Sequence, residues 1–79
     1  MSIKIEAFKD VSPEKLRELS NRLQKSFTDE QTRNELPPFL VEYINADNNA
    51  LLGHHRRIQR CLNLINQEVL NRFYSEKIN

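Results

Sequence analysis

The C-terminal part of the chain carries a regular stripe of apolar residues, interrupted by one histidine. The steps between successive members alternate between four and three, as in a coiled-coil seam, and they predict one long helix over 49–76. The stripe consists of Leu51, His55, Ile58, Leu62, Ile65, Val69 and Phe73.

A second helix is predicted near the N-terminus, over 13–27. Ser12 is a suitable N-cap and Pro13 suits the first helical position. Glu18 precedes Arg22 by four residues, the favourable order for an ion pair on a helix surface. The apolar stripe of this helix is Leu16, Leu19, Leu23 and Phe27.

Prolines and asparagines divide the middle of the chain. The polar stretch 28–34 is compatible with one more helical turn, capped by Thr28, or with a loop. Pro38 opens a short helix over 38–45, and the sequence NADNN at 45–49 ends it.

The first residues alternate between apolar and polar side chains over 2–8, which is typical of a strand. Because no second strand is visible in the sequence, we expect either an extended arm over 1–11 or an edge strand that pairs with another chain. The sequence therefore predicts a single all-α domain over 1–79, with one medium, one short and one long helix.

Composition excludes several classes of protein. The chain has 79 residues, one cysteine and a net charge of +1, so an internal disulfide is impossible and a strong basic excess is absent. No segment has the apolarity of a signal peptide or membrane span. We expect an intracellular, soluble protein, cytoplasmic or nuclear. The single glycine argues against phosphate-binding loops.

The segment GHHRRIQRC, residues 53–61, concentrates the reactive side chains. His54 and Cys61 lie two helical turns apart, roughly 10 Å along the axis, which is too far for a shared metal ion or a Cys–His nucleophile. We interpret Cys61 as a small buried hydrophobe and His55 as a partly buried residue of the stripe. The sequence predicts no metal, no cofactor and no enzymatic activity.

Three arginines of the same segment, Arg56, Arg57 and Arg60, share the face opposite Ile58 and Leu62. They could contact a few phosphates of a nucleic acid. No aromatic residues interleave with them, so a solvated face that pairs with an acidic partner is the more ordinary interpretation.

The segment from Leu51 to Phe73 resembles the long helix in the N-terminal helical domain of GINS replication subunits. The matching residues are Leu51, Leu52, His54, His55, Arg57, Arg60, Cys61 and Leu62. The chain lacks the tyrosine that tends to follow the cysteine in that family, and the spacing from the arginines to Cys61 differs. The resemblance implies a non-enzymatic scaffold subunit in DNA replication, packed helix to helix against sister subunits.

The length of the stripe indicates a function in protein association. A helix of this length measures about 40 Å, whereas a compact chain of this size is about 30 Å across. The first helix, about 22 Å long, cannot cover the stripe, so part of it is left over. We therefore expect an interaction module that buries its apolar stripe, Leu51 to Phe73, against a second copy or a foreign helical subunit, and that is not a stable monomer alone. With His55 in the interface, acid would weaken association. The alternative is a small regulator that binds nucleic acid through Arg56, Arg57 and Arg60.

Overall fold

A computed structural model describes residues 3–46 and 51–78, with the backbone alone for 51, 52 and 76–78. Its elements are a short 3-10 helix at Ile5–Phe8 and four α-helices: α1 at Pro13–Ser26, α2 at Glu30–Asn34, α3 at Pro38–Asn45 and α4 at Leu51–Ile78. All regular structure in the described residues is helical, which confirms the all-α class.

Helix α1 begins where its capping residues predict. The Ser12 hydroxyl accepts a hydrogen bond from the Lys15 backbone N–H at 3.2 Å, and Pro13 occupies the first turn. The predicted ion pair between Glu18 and Arg22 is present at 3.1 Å on the exposed face. The helix ends at Ser26, one residue before the predicted boundary.

The polar stretch after α1 is a helix, α2, and not a loop. Its cap is Asp29, whose Oδ1 accepts hydrogen bonds from the backbone N–H groups of Gln31 and Thr32; the expected cap, Thr28, lies outside the helix. The other carboxylate oxygen, Oδ2, accepts from the Thr32 hydroxyl at 2.8 Å, so Asp29 accepts three hydrogen bonds with two oxygens, whereas a threonine hydroxyl has one oxygen. Helix α3 has the predicted bounds.

The N-terminal segment is not an extended arm. Residues 5–8 form a 3-10 helix, with a hydrogen bond from the Ala7 N–H to the Lys4 carbonyl at 3.0 Å. This turn lets Ile3 and Phe8 both enter the core, where Phe8 is fully buried. Lys4, which precedes the turn, has the extended geometry that the alternation suggested.

Helix α4 forms the long axis of the molecule and runs antiparallel to α1. Its 28 residues correspond to about 42 Å, and the molecule measures 45 × 22 × 18 Å. Near its C-terminal end, Arg72 binds the carbonyl of Val11, just before α1; near its N-terminal end, His55 contacts the carbonyl of Phe27, just after α1. Gly53 has no neighbour within 4 Å of where a Cβ would stand, so no described backbone approaches it closely.

One apolar core joins the N-terminal segment, α1, α3 and the middle of α4, and Leu36, which follows α2, also belongs to it. Its fully buried side chains come from the 3-10 helix, α1, α3 and the middle of α4. The core consists of Ile3, Phe8, Leu16, Leu19, Leu23, Leu36, Leu40, Ile44, Ile58, Cys61, Leu62, Leu64 and Ile65. Within 3–46 and 51–78, none of the helices combines the length and the apolarity that crossing a membrane requires.

Candidate functional site: the uncovered end of the long helix

The middle of the predicted partner-binding stripe is occupied by the chain itself. Ile58, Leu62 and Ile65 are 0%, 8% and 2% exposed. Their role as partner-binding residues was therefore predicted wrongly. The prediction considered only the first helix as a cover, whereas the N-terminal segment and α3 also pack against α4. The side chain of Leu51 lies outside the described residues.

The C-terminal end of the stripe is uncovered. Val69 and Phe73 are each about half exposed, at 49% and 50%, and next to them Leu70 and Tyr74 are 53% and 60% exposed. The last two side chains point about 100° further round the helix than the first two. The rings of Phe73 and Tyr74 meet edge to face, with centroids 6.0 Å apart. We call these four residues the apolar patch.

A groove of about 430 Å³ lies between the apolar patch and α1. Leu16 of α1 and Ile65 of α4 belong to the core and also line the groove, and Val69 and Phe73 line its α4 side. The other residues that line it are Pro13, Arg17, Ser20, Asn21, Asn66 and Arg72. No acidic residue lines the groove, although Arg72 is neutralised from outside it by Glu68.

Arg72 fixes the end of the groove. Its Nη2 lies 3.1, 2.9 and 2.6 Å from the carbonyl oxygens of Phe8, Lys9 and Val11, and its Nε donates to Glu68 Oε1 at 3.0 Å. The Phe8 carbonyl also accepts a hydrogen bond from the Val11 backbone N–H at 3.3 Å, whereas Arg72 is the donor that the structure shows for the carbonyls of Lys9 and Val11. The arginine therefore holds the N-terminal segment against α4, and Glu68, which is buried, balances its charge.

Two residues of the GHHRRIQRC segment have the same kind of role. His55 Nε2 lies 2.8 Å from the Phe27 carbonyl oxygen; because a carbonyl only accepts, this nitrogen carries the proton. Arg57 Nη1 donates to the Tyr43 carbonyl at 2.9 Å, near the end of α3, and its guanidinium stacks on the Tyr43 ring, 4.8 Å from the centroid. Cations at helix C-termini also interact favourably with the helix dipole.

These contacts correct two predictions. His55 faces α1 of its own chain rather than a partner helix, and Arg57 does not belong to an open face of three arginines. Arg56 and Arg60 are exposed, as predicted. The Nδ1 of His54 is buried and has no hydrogen-bond partner in the described part of the chain.

Cys61 is fully buried, as its interpretation as a small hydrophobe requires. Burial raises the pKa of its thiol to about 12, while the charge of Arg60 acts in the opposite sense. A thiol with so high a pKa is a poor nucleophile at neutral pH. No three histidine, cysteine or acidic side chains in the described ranges are grouped so that they could hold a metal ion.

The sequence interpretation missed Glu68, Arg72 and Arg33. Arg33 is buried and donates to the Ser26 carbonyl at 3.0 Å, so it caps α1 together with His55. The spacing of Glu68 and Arg72 is the same four-residue spacing that identified Glu18 and Arg22, and it predicts their ion pair. The spacing does not predict that Glu68 is buried, because its burial depends on the position of the N-terminal segment.

Comparison of the chain with protein-family models, with curated proteins and with solved structures finds no match in any of the three. The resemblance of the Leu51–Phe73 segment to GINS subunits therefore stays a prediction.

Proposed function

We propose that the protein is a non-enzymatic helical interaction module, a small subunit or adaptor of a larger complex, and that its contact surface is the apolar patch. The observation that supports this most is the exposure of Val69, Leu70, Phe73 and Tyr74 side by side at one end of α4. About half of each large side chain is exposed, which amounts to an apolar area on the order of 400 Å². Patches of this size on a monomer often mark a binding site.

The position of the patch also supports a role in association. It lies where α4 continues past the core, so changes there can alter binding without opening the packed interior. Among the α4 side chains that the structure describes, the other exposed ones are polar, including Gln59, Asn63 and Gln67. The patch is thus a local departure from an otherwise ordinary solvated helix surface.

Site-specific photo-crosslinking in the native host tests this proposal. A photoreactive phenylalanine analogue at Phe73 or Leu70 should give covalent adducts with one protein species. The matched control is the same analogue at Asn63, which lies on the same side of α4 as Leu70, two turns earlier. Absence of adducts at both apolar positions, or equal adducts at Asn63, would show that the patch is not the contact surface.

Membership of a replication assembly remains a proposal that rests on the resemblance alone. If it is correct, the crosslinked protein should be a helical sister subunit.

The alternative proposal, nucleic-acid binding through the basic face, has less support because Arg57 is engaged with Tyr43. Two exposed arginines, Arg56 and Arg60, contact few phosphates. Binding through them would weaken steeply with salt, whereas apolar helix packing would not.

A further inference from the structure

We propose that the groove between α1 and α4 binds one amphipathic helix of another protein, whose apolar face fills the groove and whose flank carries an acidic residue opposite Arg17. This inference rests on the proposed function and deepens it, since it names the kind of partner and the part of the surface that the partner contacts.

The shape of the groove favours a helix. Its two sides are the antiparallel helices α1 and α4, and its floor includes Leu16 and Ile65 from the core. A third helix laid along such a groove completes a three-helix bundle, in which each apolar side chain contacts both neighbours. Val69 and Phe73 lie four residues apart on one side, so they match apolar residues of the partner at steps of three and four.

The charges of the groove favour an acidic flank. Among the residues that line it, Arg17 and Arg72 are the charged ones. Arg72 is already paired with Glu68, whereas Arg17 is exposed and has no ion pair within the described residues. On the same helix, Glu18 is paired with Arg22. A carboxylate on the partner would therefore meet an uncompensated guanidinium.

A second copy of this chain is a poorer occupant. A two-fold pair brings the same surface of both copies together, which would place one concave groove on another and two Arg17 guanidiniums in one interface. The apolar patches of two copies would bury roughly 800 Å² in total, below the roughly 1,200 Å² of stable specific interfaces. A convex foreign helix avoids both difficulties.

A display selection tests the inference with a defined probe. The library consists of alanine-rich helical peptides of about 18 residues, randomised along one face, and the bait is the full chain. The expected result is enrichment of peptides with apolar residues at steps of three and four and with Asp or Glu, not Lys or Arg, on one flank. Failure to enrich any helical peptide, or enrichment without an acidic preference, would overturn the inference.

Variants of the chain then locate the bound peptide. Val69 lies in the groove, so Val69→Lys should weaken the binding of an enriched peptide by at least about tenfold. Asn63→Lys, an exposed change on α4 outside both the groove and the apolar patch, should leave its affinity within about twofold. Tyr74→Lys, in the patch but outside the groove, should weaken peptide binding less than Val69→Lys does. Arg17→Glu should weaken the binding of the acidic peptide by about fivefold. The same variant should strengthen the binding of a peptide in which lysine replaces the acidic residues. Unfolding curves of each variant establish that it is folded.

The outcomes separate this inference from the proposed function. Binding lost in Tyr74→Lys but not in Val69→Lys would overturn the groove site and leave the apolar patch as an interaction surface. A dimer that Val69→Lys dissociates would instead identify a second copy as the occupant. If no peptide binds and Phe73 also gives no crosslink in the host, both the groove site and the proposed function fail.

Discussion

At the scale of single residues, carbonyl groups at the ends of helices account for most of the long-range polar contacts. Arg33 and His55 satisfy the end of α1, Arg57 satisfies the end of α3, and Arg72 satisfies the end of the 3-10 helix. The last carbonyls of a helix have no internal partner, and leaving them buried and unpaired is costly. Of the three arginines that suggested a binding face in the sequence, Arg57 therefore holds α3 against α4, whereas Arg56 and Arg60 stay exposed.

The Arg72 contacts predict a large cost for removing this side chain. Arg72→Ala removes the arginine donor from three carbonyls, of which that of Phe8 keeps its bond from the Val11 N–H, and it leaves the buried Glu68 without its counter-charge. We expect a loss of about 2–4 kcal/mol, somewhat below the range for a fully buried pair because the Arg72 side chain is 28% exposed. Arg22→Ala, which breaks an exposed pair of the same spacing, should cost under about 1 kcal/mol. Urea unfolding measures both, and similar losses would contradict the role given to Arg72.

Burial of Cys61 predicts a thiol that does not react in the native state. Because its pKa is raised to about 12, the thiolate is scarce at pH 7.5, and the packed core excludes reagents. A colorimetric disulfide reagent should react with the folded chain at least about a hundredfold more slowly than with the chain in denaturing urea, since reaction requires opening of the core. Comparable rates in both conditions would show that the thiol is accessible.

At the scale of helices, the sequence predicts the elements whose signals are local. Ser12 and Pro13 locate the start of α1, and Pro38 locates the start of α3, because caps and prolines act within one turn. The turn at Ile5–Phe8 could not be predicted this way, since its period-two alternation is too short to distinguish a strand from a 3-10 turn. What decides it is the burial of Phe8 against residues far along the chain.

The candidate site was predictable only in part, for the same reason. Periodicity identified Val69 and Phe73 as members of an apolar stripe, but it also included Ile58, Leu62 and Ile65. The N-terminal segment and α3 determine which members of the stripe are covered. Their positions depend on tertiary packing and not on local sequence signals.

The cap of α2 predicts a dependence of stability on pH in the acid range. Hydrogen bonds from the Thr32 hydroxyl and backbone N–H hold the pKa of Asp29 below its usual 3.8. A lowered native pKa means that the stabilisation is present above about pH 4 and is lost as pH falls through the native value. Asp29→Asn keeps a good cap without the charge. The unfolding free energy of the Asp29→Asn variant, measured as a function of pH, should therefore decrease less below pH 4 than that of the native chain. Curves of the two chains that run parallel below pH 4 would contradict this.

The two faces of α4 predict different costs for substitution. Ile58→Ala and Ile65→Ala remove fully packed side chains and should each cost about 2–5 kcal/mol. Arg56→Ala changes an exposed residue and should cost under about 1 kcal/mol. Urea unfolding of the three variants gives the comparison, and equal costs would show that the faces have been assigned wrongly.

At the scale of the whole molecule, the chain covers most of its own apolar stripe. The expectation that it is not a stable monomer was based on a first helix that is too short to cover the stripe. Ile58, Leu62 and Ile65 are buried internally, so of the stripe residues whose side chains the structure describes, Val69 and Phe73 are the exposed ones. In the proposed function, the apolar patch and the groove beside it are therefore the surface for association.

This arrangement predicts a chain that folds cooperatively as a monomer at low micromolar concentration. The area available to a second copy is too small for a tight dimer, because association must also offset an entropy cost of about 4–15 kcal/mol. Changing the pH from 7.5 to 5.5 should not alter the sedimentation coefficient. His55 contacts its own α1, and its Nε2 can donate to the Phe27 carbonyl in both the neutral and the protonated ring. Sedimentation velocity across concentration at both pH values measures this, with Phe73→Lys as a variant that cannot pair through the patch. A dimer of the native chain that Phe73→Lys dissociates would show that the patch binds a second copy. A dimer that persists in the variant would place the contact elsewhere on the molecule.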